Sequence, residues 1–305
     1  MQIRSYKFAE IVMLAYISLF FHTLVFADAL HQKYVIGACA HEGLLSSFFA
    51  VLNNMRECEQ TDKIPVVYWD DESLYYVAQG FNGAQNAWEY YFDPVSESAY
   101  ERGDDIGYRY APGGAFFFYT HIEQEFRDRA YELVQKYIKI NRWVQRKIDS
   151  FYHRHMENKQ VIGIHFRGTD RSKSRMQITP EIMVEAALAH ADENTCFLIA
   201  SDEQQALDAI KNLLHGRVVF SYDCYRSIDH QPLHKPREDE DVKYSKAQLG
   251  EDVLVEVALL AQCDLLVHTA SSVSTAALYF NPEMPHACLS PQKKIKKKKT
   301  EEEIA

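Results

Sequence analysis

VIGIHFRGTDR, residues 161–171, drives an apolar run into a His, two Arg and an Asp within seven positions. Val161 to Arg167 reads as a buried strand, and a strand that ends in that much charge ends at something it binds. The segments downstream of it set the fold class. TPEIMVEAALAHADE reads as a helix, with Thr179 as its cap, Pro180 at its first position and acids in the first turn. TCFLIASD is a strand, EQQALDAIKNLLHG a helix closed by Gly216, and RVVFSY a strand. After the polar loop DCYRSIDHQPLHKPREDEDVKYSKAQ come a helix, LGEDVLVEVALLAQC, a strand, DLLVHTASS, and a last helix, VSTAALYFN. Strand and helix alternate throughout, so this half is expected to be a doubly wound α/β domain.

Upstream the alternation occurs once. KYVIGACA (Lys33–Ala40) reads as a strand, followed by a tight turn at Gly43. A helix comes next, with Leu44, Leu45, Phe48, Phe49, Leu52 and Met55 at helical spacing, and then a second strand, IPVVYWD. This is a βαβ unit with parallel pairing. Asp70 to Gly114 is rich in Tyr, Asn, Gly and Asp and reads as long loops or an acceptor-facing insertion. Its Trp88, Tyr90, Tyr91 and Tyr108 are either stacking surfaces for a ligand or core aromatics. From Glu123 to Met156 a long amphipathic helical region is expected, anchored by residues such as Phe126, Leu133, Ile138 and Trp143.

At the N-terminus, Arg4 and Lys7 precede an almost wholly apolar run, Ile11 to Ala27, and small residues close it at Ala27 and Ala29. That order is the one of a secretory signal, and the run is shorter than the roughly 20 residues that span a bilayer. Residues 1–29 are therefore read as a signal peptide or signal anchor, with a buried first helix as the weaker option. A membrane anchor would run through residues 11–27. Signal and anchor alike place the rest in the secretory pathway or Golgi lumen, or in a bacterial envelope, and not in the cytosol. KKIKKKKTEEEIA lacks a core-forming pattern, so residues 291–305 read as a charged disordered tail.

The 305 residues, 47% of them hydrophobic, suffice for one large or two ordinary domains. Formal charge is −10, and six of the 33 cationic residues lie in the last thirteen positions, so the body is more acidic still. An acidic body argues against a general nucleic-acid binder, and any anion must be held by a local pocket. Six Cys are scattered singly with no CxxC pair, so no metal site is expected, and the sequence does not choose a disulfide pairing.

Three strands end in polar clusters: His165, Arg167, Thr169 and Asp170; Ser201, Asp202 and Glu203; His268, Thr269, Ser271 and Ser272, before the helix that opens at Val273. The Arg167 fork suits a bidentate bond to phosphate. Small hydroxyl residues at a helix N-terminus present backbone N–H groups and a positive dipole end to an anion. Together they are a way to bind a pyrophosphate without metal. Glu256 is the odd acid on an apolar helix. It sits either on the solvent edge or against a ligand such as guanine, which offers two N–H donors on one edge.

HFRGTD, FLIASD and DLLVHTASSVSTA, in that order, resemble the GDP-fucose-dependent fucosyltransferases, nearest to the nodulation-type and core α1,6-fucosyltransferases. The resemblance covers about Val161 to Pro285, and HEGLLSSFFAVLNNM with IPVVYWD is similar to their opening. It implies two Rossmann-like domains facing a cleft, of the GT-B type. Residues 30–155 would form the N-terminal, acceptor-side domain and 156–290 the C-terminal, nucleotide-sugar-binding domain. It implies an inverting, metal-independent transfer of L-fucose from GDP-fucose to a glycan or glycoprotein acceptor, with no cofactor beyond the donor. By resemblance Arg167 takes the donor pyrophosphate, His165 lies near the nucleotide, and Thr269, Ser271, Ser272 and Val273 lie at the phosphates. Glu256 stands where the family has an acid reading guanine, and Asp202 matches an acid required for activity; Gly43 is counted with the donor site, and Asp170, by its position at a strand end, with Arg167 and Asp202 in the catalytic group.

Two departures stand out. Many relatives carry a second Arg where this chain has Gly168, leaving part of the donor contact missing or supplied by Arg171. The core enzymes place a catalytic Glu shortly after the first motif, where RSKSRMQ has no acid. Asp170 and Glu42 are the candidate bases. The rival readings are the same fold with another nucleotide sugar, and a non-catalytic nucleotide- or glycan-binding relative.

Overall fold

The computed structural model describes residues 32–40, 42–104, 106, 122–169, 178–231 and 244–289. The leader, the basic tail, Tyr108, Asp170 and the RSKSRMQ segment with Arg171 lie outside these residues.

Strands β1 (Lys33–Ile36) and β2 (Ile64–Val67) pair in parallel, Lys33 opposite Ile64, joined by helix α1 (Leu44–Thr61). This is the expected βαβ unit. Helices α2 (Gln124–Tyr137) and α3 (Arg142–His155) come next. The second half then alternates strictly: β3 (Val161–Phe166), α4 (Pro180–Leu188), β4 (Cys196–Ser201), α5 (Gln204–Leu213), β5 (Val219–Phe220), α6 (Lys246–Leu260), β6 (Leu265–His268), α7 (Ser272–Phe280) and β7 (His286–Cys288).

Its five strands form one parallel sheet in the order β5-β4-β3-β6-β7. The chain winds outward from β3 to β5, then crosses back to lay β6 on the other side of β3. Side chains of β3 alternate between faces. Ile162, Ile164 and Phe166 enter an apolar cluster with residues of α4 and α5, such as Met183 and Ile210. Gly163 faces α6, where a Cβ would stand 3.0 Å from Cys263 Sγ and 3.1 Å from Leu260. His165, two residues on, shares that face. The α/β class with a parallel sheet is as expected.

The larger core cluster joins both halves. Phe48 of α1 stacks on Phe92 and on Phe280 of α7, with ring centroids 5.7 and 5.9 Å away. Phe49 meets Tyr279 edge-on at 5.6 Å. The irregular stretch from Asp70 to Asp104 supplies Trp88, Tyr90, Tyr91 and Phe92, all essentially inaccessible. These rings are core and offer no face to a sugar.

Three departures from the sequence expectation have a local cause. The long helical region is broken between Tyr137 and Arg142. There the Asn141 side chain caps α3 by accepting from the N–H groups of Trp143 and Val144, both at 3.1 Å. Its amide donates to the carbonyls of Glu89 and Tyr90, so the break anchors the irregular stretch. Helix α6 begins three residues early, because Ser245 accepts from Gln248 N–H at 3.1 Å and caps it. Strand β7 was not expected. Its three residues have little strand character of their own and are fixed by pairing with β6, Cys288 opposite His268.

The first half buttresses α6. Tyr91 donates its hydroxyl to Ala247 O at 3.0 Å, and a Cβ on Gly250 would overlap that hydroxyl and stand 2.8 Å from Tyr75 Cδ1. Gly250→Ala should therefore force these rings away and cost about 1–3 kcal/mol, measured as a lowered urea midpoint with an unchanged slope.

Candidate functional site

Strands β3 and β6 are neighbours in the sheet, and their connections leave on opposite sides. That is a topological switch point, and the crevice at its carboxyl end is where open α/β sheets bind ligands. A pocket lies there, closed on one side by α6. His165, Arg167, Asp202, Glu256 and Val273 all line it, from four different elements or their ends. These five candidates are far apart in sequence and converge in space.

The loop after β3 is held by Asp202. Its Oδ1 accepts from Gly168 N–H at 2.9 Å, and its Oδ2 from the Thr169 hydroxyl at 2.6 Å. Arg167 N–H donates to the hydroxyl of Thr269, the residue after β6, at 3.1 Å. The backbone that carries the Arg167 side chain is thus clasped from both neighbouring strands. Gly168 has a local reason as well. A Cβ there would overlap the carboxylate of buried Glu203, whose other oxygen pairs with His230. The arrangement leaves no room for a second Arg at this position.

The α7 N-terminus completes one wall. Ser271 is fully buried, and its hydroxyl accepts from Ser274 N–H at 3.1 Å in a capping box. It also lies 3.3 Å from His165 Nδ1. Thr269, Ser271 and Ser272 do not line the pocket. They shape the helix terminus, where the N–H groups of half-buried Ser272 and Val273 take no partner among the described residues. Gly43 caps α1, next to exposed Glu42, and does not line the pocket. It connects to the pocket helix through Tyr75, which accepts from Leu44 N–H at 2.9 Å and packs on Gly250.

Glu256 is not on the solvent edge. Its side chain is 13% exposed, and Oε1 accepts from Arg226 Nη2 at 2.8 Å, with Cys224 Sγ at 3.5 Å. Its Oε2 takes no hydrogen bond among the described residues, and the residue lines the pocket. Burial pushes the Glu256 carboxyl up to about 7 against the pull of Arg226. One turn earlier, Asp252 also lines the pocket. Burial raises it to about 6 despite a hydrogen bond from Gln248 Nε2 at 2.9 Å.

Asp252, Cys224 and Arg226 were not legible as site residues. Asp252 sits in an acidic pair on a helix, and the other two in a loop whose path no local pattern fixes. Among the described residues no group of three or more His, Cys, Asp or Glu is placed to hold a metal ion, and no helix is long and apolar enough to cross a membrane. None of the six cysteines is bonded to another.

No protein-family model matches the chain, and no curated protein matches its sequence. Its backbone is similar to solved fucosyltransferases. A crystal structure of NodZ α-1,6-fucosyltransferase soaked with GDP-fucose superposes with a TM-score of 0.54 at 16% identity, over 83% of this chain and 93% of that one. NodZ co-crystallized with GDP gives 0.52 at 14% identity, over 83% and 93%. Fucosyltransferase NodZ from Bradyrhizobium gives 0.52 at 16% identity, over 83% and 94%. At this identity the likeness establishes the fold.

The strain of burying Asp252 sets a pH dependence. Its folded value of about 6 stands above the ordinary 3.8, so the folded state holds the proton more tightly. Its contribution to stability is therefore lost as pH rises through that window. Asp252→Asn should stabilise the ligand-free protein by about 1–3 kcal/mol at pH 8 and by little at pH 4, read from urea denaturation at the two pH values.

Proposed function

We propose that this chain is a glycosyltransferase that moves L-fucose from GDP-fucose to a hydroxyl of a glycan or peptide, with inversion and without a metal. The observation that carries the reading is the convergence of Arg167, Glu256 and the α7 N-terminus on one crevice at the switch point. It supplies, in one place, a cationic fork, a helix dipole and a carboxylate oxygen awaiting a donor. The likeness to NodZ structures that hold GDP or were soaked with GDP-fucose supports the same choice of ligand.

In this reading the guanine edge donates to Glu256 Oε2, while Arg226 and Cys224 fix Oε1. The pyrophosphate lies between Arg167 and the N–H groups of Ser272 and Val273. The acceptor hydroxyl attacks C1 of fucose from the face opposite the leaving group. The C1–O bond to GDP breaks, and its electron pair stays on the β-phosphate. Arg167 stabilises that developing charge, and the positive end of α7 assists it. Asp202 acts through the loop it clasps. The acceptor's proton passes to a carboxylate, for which Asp170 at the end of the first motif is the candidate and Glu42 the alternative.

The two-domain GT-B arrangement, with residues 30–155 facing the acceptor, belongs to this proposal. So does a site of action in the secretory pathway or a bacterial envelope, on the strength of the leader's charge and hydropathy order.

Titration calorimetry on the purified chain tests the donor. GDP and GDP-fucose should bind with or without chelator, UDP should not, and Arg167→Ala should weaken binding by at least about 10-fold. Glu256→Gln should erase the preference for GDP over ADP. Equal binding of UDP and GDP, or an indifferent Arg167→Ala, sinks the reading. Donor binding without transfer to any glycan acceptor would instead favour a non-catalytic relative.

A further inference from the structure

We propose that Asp252 is a second specificity-determining carboxylate, which accepts hydrogen bonds from the ribose hydroxyls of the bound nucleotide. The proposal rests on the nucleotide-sugar reading above and extends it from the base and phosphates to the ribose.

Asp252 is 5% exposed and lines the same pocket as Glu256. The two lie four residues apart on α6, hence on one face and one turn from each other. Gln248, one turn earlier still, holds Oδ1 at 2.9 Å. Oδ2 is buried, and no donor among the described residues reaches it in hydrogen-bond geometry. The backbone N–H of Tyr225 attracts the carboxylate, but it does not satisfy that oxygen. A buried polar atom without a partner is costly and calls for an explanation.

The neighbouring acid shows the contrast. Glu251 is fully buried yet fully used, by Lys147 and Gln248 on Oε2 and by Asn82 on Oε1. Glu251 ties α6 to the first half. Asp252 lines the pocket, and its Oδ2 is buried without a partner.

The position narrows the ligand group. Glu256 Oε2 is the acceptor for the base edge, and Arg167 with the α7 N-terminus takes the phosphates. The ribose joins base to phosphate and carries two adjacent hydroxyl donors, which suit a carboxylate acceptor. An acid reading the ribose hydroxyl is the solution that dinucleotide-binding α/β folds use.

The test compares GDP, 2′-deoxy-GDP and ADP by calorimetry on the full chain, for wild type, Asp252→Asn and Glu256→Gln. Wild type should prefer GDP over 2′-deoxy-GDP by on the order of 10-fold. Asp252→Asn should reduce that ratio to near one while keeping the preference for GDP over ADP. Glu256→Gln should do the reverse. Because Asp252→Asn removes a buried charge, its thermal melt should confirm folded protein. Normal GDP binding with an unchanged ribose ratio in Asp252→Asn overturns this proposal alone. Loss of the base preference in that variant also overturns it, by making Asp252 a base reader. Failure of wild type to bind any of the three overturns the donor reading and this proposal with it.

Discussion

Strand β3 has a parallel partner on each side, and the chain must reach those partners in opposite directions. The connection to β4 runs over one face through α4, and β6 arrives only after β4 and β5 have been laid down. Two parallel neighbours whose onward segments part company cannot close the sheet's end between them. The crevice is a consequence of that winding, and every polar group of the site is placed by it. The loop after β3 enters it with Arg167, β4 leads to the Asp202 that clasps this loop, and β6 leads into α7, whose first turn lines the pocket through Val273.

The site is more acidic than its proposed ligand would suggest. Asp202, Asp252 and Glu256 border it, against Arg167 in the pocket and Arg226 behind Glu256. Asp202 gives both its oxygens to the loop after β3, and Glu256 pairs with Arg226 through one of its two oxygens. Asp252 keeps one oxygen unserved at the expense of stability. Local rules of burial are broken where function requires it, and compensated elsewhere in the core. The acids give the crevice its hydrogen-bonding pattern, while Arg167 and the α7 dipole supply the positive charge.

The first half of the chain contributes to the site by support. Tyr75 and Tyr91 fill the space that Gly250 leaves on α6, Tyr91 bonds to Ala247 O, and the half-buried Lys147–Glu251 pair adds a tie from α3. Phe48 and Phe49 lock α1 onto α7 from the opposite side. The two helices that bear the pocket, α6 and α7, are therefore fixed by residues more than a hundred positions upstream. Substitutions in the aromatic stretch around Trp88 to Phe92 should be felt at the crevice through α6.

The alternation of strand and helix, the parallel sheet and the polar strand ends were legible in the sequence, because each depends on periodicity and end signals within ten or so residues. The motifs around Arg167, Asp202 and Ser271 carried the family resemblance for the same reason. Tertiary structure decided the rest. It broke the Glu123–Met156 helical region at Asn141, because that amide finds partners in Glu89 and Tyr90. It turned Ser271 inward to a capping box and set Glu203 where a side chain at position 168 would be. It buried Glu256 with Arg226, and it left Asp252, which lines the pocket, with a buried oxygen unserved. A carboxylate's role depends on what stands within hydrogen-bonding distance of it. Those partners come from other strands, other helices and a loop without periodic signal, so only the folded chain could assign them.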